Sequence, residues 1–347
     1  MSNLPENVSD FKSFVGLYKD QVYNKICEYL PSGEPVEHCK AVRVYVDRKG
    51  KYGRPGYLML WNALYGGNPE DAILPAAAQQ CSEDWILMHD DWMDGNTLRR
   101  GGPSAHLMFG DRYAINAGDH LHMSNWKMAK EAADLLGKEK GNKYFNKFYD
   151  MMQFTARGQY KDISLVDSKD ITKFTPEDYY DSIHGKTAYY TVYGPMQAGA
   201  IIAGQPDEVV EKIKEYGTPL GKAFQIKDDV LDCISTDEEL GKSVGNDVRE
   251  GVKTIILWHA VQNASSTDLK KLKDIYAKER PEKTETEVKW VLEKFKELGS
   301  TDYAAKEAEK FNADALKGFE KNAKNRPESQ LKKIARDSIE FVTRRKH

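Results

Sequence analysis

Cysteine is scarce in this chain of 347 residues: four are present, Cys27, Cys39, Cys81 and Cys233, without paired or metal-type spacing. That excludes a disulfide scaffold and a cysteine-based zinc site. The opening MSNLPENVSD has no apolar h-region either, so a reduced, cytoplasmic protein is expected. Long apolar runs are missing too, and nothing approaches the ~18 consecutive apolar residues that a membrane span needs. The chain has no excess of positive charge. A formal net charge of −3 and a pI near 6.3 argue against a general polyanion binder, so nucleic acid is not an expected partner. Neither a G-x-x-x-x-G-K-[ST] loop nor a G-x-G-x-x-G fingerprint occurs, which leaves a nucleotide triphosphate unsupported.

Strand-like alternation is nearly absent, and helical periodicity takes its place. Phe11, Val15, Tyr18, Val22, Ile26 and Tyr29 follow one another at spacings of three and four, which makes one apolar helical face. The same pattern predicts helices near 35–47, 54–65, 70–95, 105–136, 140–161, 175–203, 207–233 and 251–263. More charged, peripheral helices are expected from about 266 to 347. Length alone would suggest about two domains at ~150 residues each. No Pro/Gly/Ser-rich linker and no internal repeat divides the pattern, so a single all-α domain over 1–347 is expected, built from long, mostly antiparallel helices.

Two acidic clusters stand out on these helices. In WILMHDDWMDGNTLRRGG (85–102), Asp90 and Asp94 are four apart and share a helical face, with Asp91 about 100° around the axis. Like charges at that spacing repel unless a cation lies between them. One such cluster would be read as an acidic helix end at the surface. FQIKDDVLD (224–232) repeats it as Asp228, Asp229 and Asp232, again at the end of an apolar helix. Two such sites on separate helices can face one another and hold hard cations. Mg²⁺ suits them, since it takes oxygen ligands and is usually held by one or two carboxylates plus substrate phosphates. Bases lie close by in sequence: Lys51 and Arg54 in DRKGKYGR (47–54), Arg99 and Arg100 after the first cluster, and Lys186 in HGKTAYY. An arginine fork binds phosphate oxygens bidentately and a lysine acts as a point charge, so a diphosphate joined to something apolar is implied.

These motifs resemble those of the trans-isoprenyl diphosphate synthases, the farnesyl and geranylgeranyl diphosphate synthase family. GKYGRP (50–55), DDWMDGNTLRRGGPSAH (90–106), GQYKD (158–162), KT (186–187), FQIKDDVLD (224–232) and GK (241–242) occur in the family's order. The resemblance implies an isoprenoid synthase fold around a deep central cavity, usually in a homodimer. It implies about three Mg²⁺ ions held by carboxylate oxygens, which draw on an allylic diphosphate (dimethylallyl, geranyl or farnesyl) until its C–O bond ionises. The double bond of isopentenyl diphosphate then attacks the cation. Carried over by motif, the resemblance implies that Asp90, Asp94 and Asp228 should be the principal metal ligands, with Asp91, Asp229 and Asp232 supporting or binding through water. Arg99, Lys186 and Lys242 should then hold the allylic diphosphate, and Lys51, Arg54 and Arg100 isopentenyl diphosphate. Thr187 and Gln225 should turn oxygen dipoles toward the developing cation. His89 invites a general-base role but is read as a packed neighbour.

The chain departs from the family pattern at two points. Glu83 stands where His or Gln is common, and it either repels isopentenyl diphosphate or pairs with a base such as Lys51 or Arg54 and orients it. Val252 replaces a common lysine, and the adjacent Lys253 points elsewhere on a helix. Product length should depend on Trp85 and Ile86, five and four residues before Asp90. A ring at Trp85, ~7.5 Å deeper at ~1.5 Å per residue, can act as a floor, although core packing is the ordinary role for such a residue. With no insertion inside DDWMD, the pattern favours a geranylgeranyl product. The alternatives are a farnesyl diphosphate synthase, or a non-catalytic regulatory subunit of a heteromeric synthase. A terpene cyclase is disfavoured because DDVLD does not resemble that group's second metal motif.

Overall fold

The computed structural model describes residues 4–235 and 244–344. The described residues are mostly helical, and among them the only sheet is a two-stranded hairpin. The helices group into two compact units, each drawn from non-consecutive stretches of chain.

The first unit comprises Met1–Met151, Thr191–Lys214 and Asn322–Ser338. It holds α1 (Phe11–Cys27), α2 (Val36–Asp47), α3 (Gly53–Leu64) and α4 (Pro69–Met93). The hairpin β1 (Leu98–Arg99) and β2 (Gly102–Pro103) follows, then α5 (Ala105–Phe109), α6 (Asp111–Leu136), the first half of α7 (Lys138–Asp167) and α9 (Gly194–Ile202). Start signals are explicit. Asp10 and Ser13 form a capping box on α1, and Asn68 caps α4 ahead of Pro69 at its first turn. Ala72, Ala76, Ala77 and Ala78 on α4 and Ala114, Ala117 and Gly118 on α6 are buried, so these long helices pack with small residues between them. A Cβ on Gly199 of α9 would lie 2.2 Å from the Leu58 carbonyl of α3, so this approach requires glycine.

The second unit comprises Met152–Tyr190, Glu215–Lys321 and Ile339–His347. It contains the rest of α7, α8 (Pro176–Ile183), most of a π-helical segment (His184–Tyr193) and the C-terminal part of α10 (Asp207–Ile234). Beyond these come α11 (Asn246–Glu250), α12 (Ile255–Asn263), α13 (Ser266–Tyr276), α14 (Glu285–Glu297), most of α15 (Ser300–Ala323) and the end of α16 (Gln330–Arg344), whose earlier part belongs to the first unit. The core of this unit includes Ile226, Ile255 and Ile256, together with Leu272, Val291, Phe295 and Ala304. Part of the 266–347 region is therefore core. Its helices are charged on one face and apolar on the other, and the charge count obscured the second face.

Glycine geometry broke one of the expected helices and trimmed another. Gly110, at φ +91°, separates α5 from α6, and Gly251, at φ +83°, ends the short α11, so the helix expected from 251 starts at Ile255. The stretch expected as one helix over 175–203 is α8, the π-helical segment and α9 in succession. Among the described residues no helix is long and apolar enough to cross a membrane.

Candidate active site

The first acidic cluster closes α4. Asp90 and Asp91 lie in its last turn and Asp94 is its C-cap, with no basic residue in that turn. A helix C-terminus already carries partial negative charge, so three carboxylates there are unfavourable until cations arrive. Nearby cations come from the hairpin. Arg100 (φ +51°) and Gly101 (φ +75°) are the two central residues between β1 and β2, and both have the positive φ that a type I′ turn demands. Arg48 on the loop after α2 braces the hairpin by donating to the Arg99 carbonyl (2.9 Å) and the Pro103 carbonyl (2.8 Å).

The turn sends the two arginines to different acids. Arg99 reaches Asp91 through Nε (3.0 Å to Oδ2) and Nη2 (2.5 Å to Oδ1). Asp91 also accepts from the Tyr45 hydroxyl (2.6 Å) and the Asn96 amide (3.3 Å). Arg100 pairs with Asp84 (2.7 Å) and Glu83 (3.4 Å), and donates to the Tyr45 carbonyl (2.5 Å). Glu83 makes a second ion pair to Arg54 at 3.1 Å. Burial alone would raise the Glu83 pKa, but Arg54 and Arg100 hold it below the ordinary glutamate value. Buried Asp84, repelled by Glu83 although paired to Arg100, rises to about 6. The Glu83 carboxylate is matched by two guanidiniums, those of Arg54 and Arg100.

The second cluster is arranged alike within its own unit. Asp228, Asp229 and Asp232 lie in the last two turns of α10. Asp229 accepts from the Tyr179 hydroxyl (2.6 Å) and the Gln225 amide (2.9 Å), and Thr187 donates to the Gln225 carbonyl oxygen (2.8 Å). Burial raises the Asp229 pKa to about 7 against those two hydrogen bonds. Asp232 accepts the Asp247 N–H at 3.0 Å and so tethers the start of α11. Lys186 pairs with Asp162 at 2.8 Å, and Ser182 donates to the other oxygen of that carboxylate. Lys186 and Thr187 belong to the π-helical segment, a conformation that concentrates at functional positions. Two glycines seat it: a Cβ on Gly158 would lie 2.3 Å from the Gly185–Lys186 backbone, and one on Gly221 would lie 2.4 Å from Ala188.

Within each cluster the carboxylates divide. Asp91, Asp229 and Asp232 are 0%, 4% and 1% exposed, whereas Asp90, Asp94 and Asp228 keep partial access to solvent. Among the described residues no three His, Cys, Asp or Glu side chains gather into a ready-made metal cage. The accessible donors are hard carboxylate oxygens, one or two per cluster, with arginine or lysine alongside. That donor set suits Mg²⁺, whose remaining ligands are ordinarily water and substrate phosphate.

The other expected residues are placed as follows. Lys51 is exposed and makes no ion pair to a described residue. The Trp85 indole N–H donates to Asn125 (3.3 Å), and its ring lies 4.6 Å from that of His122 on α6. Ile86 is half-buried. The His89 ring is 3.2 Å from the Ile115 carbonyl and 3.6 Å from Asp119, so it is engaged with α6. Lys253 is buried, with its ammonium at the Leu165 and Val166 carbonyls near the end of α7. Lys242 lies outside the described residues. Sequence reasoning missed Tyr45, Tyr179, Asp84 and Asp162 as partners of these groups. Only Asp162 carried a signal, being the last residue of GQYKD.

An all-α chain with paired aspartate clusters at helix ends, each flanked by ion-paired basic residues, has the make-up of a diphosphate-handling protein. Comparison with known proteins specifies it further. The profile of the Polyprenyl synthetase family matches residues 36–295, and the chain belongs to that family. It is 31% identical over 340 residues to a geranylgeranyl diphosphate synthase of Sulfolobus acidocaldarius, covering 96% of this chain and 99% of that one. A geranylgeranyl diphosphate synthase of Saccharolobus solfataricus is 38% identical over 222 residues, 64% of this chain and 65% of its own length. Among solved structures, a geranylgeranyl pyrophosphate synthetase from Pyrococcus horikoshii superposes with a TM-score of 0.82 at 29% identity, over 96% of this chain and 99% of that one.

Proposed function

We propose that the protein is a short-chain trans-prenyltransferase that condenses isopentenyl diphosphate with an allylic diphosphate and makes geranylgeranyl diphosphate. The observation that carries this reading is the division of each acidic cluster into accessible and buried carboxylates with a cation or hydrogen-bond donor behind them. Asp90, Asp94 and Asp228 are the oxygens that would hold Mg²⁺, which supplies Lewis-acid withdrawal of charge from the leaving diphosphate. Asp91, Asp229 and Asp232 support from behind. Arg99 and Lys186, each oriented by an aspartate, hold the allylic diphosphate. Lys51, Arg54 and Arg100 hold isopentenyl diphosphate, with Glu83 and Asp84 fixing the two arginines.

The Thr187 hydroxyl gives its proton to Gln225, so its lone pairs stay available to face positive charge. Placing dipoles where charge develops is usually the largest contribution to catalysis. The Trp85 ring, pinned by Asn125, is a fixed body able to stop a growing chain. We place the protein in the cytoplasm as a homodimer, and Leu107, Met108, Tyr113 and Met123 on α5 and α6 are exposed apolar residues available for that contact.

The test is to incubate purified protein with Mg²⁺, isopentenyl diphosphate and each of the five-, ten- and fifteen-carbon allylic primers, then to measure product length. A twenty-carbon allylic diphosphate is expected. A fifteen-carbon end product would correct the chain length, and no elongation with any primer would overturn the reading.

A further inference from the structure

We infer that Tyr45 is a positioning residue that holds the two arginines of the RRG segment in their separate orientations, one through its phenol and the other through its carbonyl. The inference rests on the proposed function, in which Arg99 and Arg100 serve different substrates.

Tyr45 is fully buried on α2, and each of its polar atoms is spoken for. Its hydroxyl donates to Asp91 Oδ2 at 2.6 Å and accepts the Ala105 N–H, at the first turn of α5, at 3.0 Å. Because the N–H can only donate, the phenol proton is directed to Asp91. The hydroxyl thus fixes one oxygen of the carboxylate that grips Arg99 through Nε and Nη2. The Nη1 edge of Arg99 carries no bond to a described residue, so the grip leaves one donor edge for a ligand. Separately, the Tyr45 carbonyl accepts Arg100 Nη1 at 2.5 Å, on the guanidinium that Asp84 and Glu83 also hold. A backbone at positive φ over Arg100 and Gly101 turns the adjacent arginines apart, and Tyr45 is the residue that receives both.

The other acidic cluster repeats the first half of this device. There the buried Tyr179 donates to the second aspartate, Asp229, at 2.6 Å, the position that Asp91 holds in its own motif. Two tyrosines from unrelated helices meeting equivalent aspartates is what a positioning role requires, and simple core filling does not.

Tyr45→Phe removes the phenol and keeps the ring and the carbonyl, so it separates the two halves of the claim. The allylic KM is expected to rise about five- to tenfold, as when one charge-assisted bond to Asp91 is lost, while the isopentenyl diphosphate KM stays within about twofold. Direct titration of an unreactive allylic thiodiphosphate should show the same rise. Arg99→Lys and Arg100→Lys serve as references, the first raising the allylic KM and the second the isopentenyl one. A double-mutant cycle of Tyr45→Phe with Arg99→Lys should be clearly non-additive. If Tyr45→Phe folds poorly, the thiodiphosphate titration is made on its folded fraction at reduced temperature beside wild type, and the same one-sided loss of affinity is expected. Equal changes in both KM values, no change in either, or an additive cycle would overturn the role of Tyr45. If the arginine variants themselves fail to split the two substrates, the functional reading falls and not the linkage alone.

Discussion

Glu83→Gln decides between a carboxylate that repels isopentenyl diphosphate and one that aims the groups binding it. The side chain is 14% exposed and bridges Arg54 at 3.1 Å, itself 23% exposed, and Arg100 at 3.4 Å. Gross attraction at 3.1 Å is about 5 kcal/mol with an effective dielectric of 20. Desolvation cancels much of that, and Asp84 still holds Arg100 in the variant, so the net stability loss is about 1–3 kcal/mol. The pH dependence has a definite sign. The folded pKa of Glu83 lies below the ordinary 4.5, so its contribution is present above that value and lost as pH falls through the lower folded one. The stability gap between wild type and variant should therefore close in acid.

For substrate affinity the two effects oppose one another. For a diphosphate taken to lie about 7 Å from the carboxylate across a water-filled site, repulsion is about 0.3 kcal/mol per unit charge after screening over a Debye length of ~8 Å, which is under ~1 kcal/mol in all. Two arginines released from fixed orientations cost about 0.5–1.5 kcal/mol each to reorder on binding, or about 1–3 kcal/mol together. Positioning wins by about 1–2 kcal/mol, so the isopentenyl diphosphate KM of Glu83→Gln should rise about five- to thirtyfold. Steady-state kinetics at 50 and 300 mM salt, about 14 and 6 Å in Debye length, provide the assay. The rise should persist at both. A lowered KM at low salt that disappears at high salt would refute the reasoning and restore the repulsive reading.

Other outcomes follow from the same geometry. Asp90→Ala or Asp228→Ala should leave helical circular dichroism intact and cut turnover by orders of magnitude, ~1.4 kcal/mol of barrier per decade; full activity in either variant or in EDTA would sink the metal assignment. Trp85→Ala should lengthen the product measured by mass spectrometry, at a stability cost near the lower end of ~3–5 kcal/mol because the indole is only half-buried; an unchanged product from a folded variant would put the floor elsewhere. Lys253→Met leaves the Leu165 and Val166 carbonyls without their ammonium, and urea melts should show a loss of about 1–3 kcal/mol near neutral pH. Burial lowers the Lys253 pKa to about 8 from 10.5, so the unfolded chain binds more protons between those values. That contribution makes wild-type stability rise with pH across the window, a rise that Lys253→Met should lack.

Whatever repeats along one helix was legible in the sequence, and whatever depends on a partner from another element was not. Asp90 and Asp94 share a face because they are four apart, and that much follows from helical spacing alone. Nothing in DDWMD says that Asp91 is sealed at 0% exposure, because its partners Tyr45 and Arg99 come from α2 and from a hairpin with no periodic signal. The π-helical segment was invisible for a related reason: HGKTAYYTVY has an apolar pattern that continues a helix, and Gly158 and Gly221, which admit it so closely, stand far away in sequence. Charge misled in the C-terminal third, where helices rich in lysine and glutamate still bury Leu272, Val291 and Phe295. The acids themselves show why the site could be found at all. Each cluster adds carboxylates to a helix C-terminus whose last turn has no base, an arrangement the helix dipole and mutual repulsion both oppose. A single helix can carry such a cost at its surface without purpose. Two helices carrying it, with the middle aspartate of each withdrawn to a buried tyrosine and Asp90, Asp94 and Asp228 left partly accessible, suit the hard-cation binding that the proposed function requires.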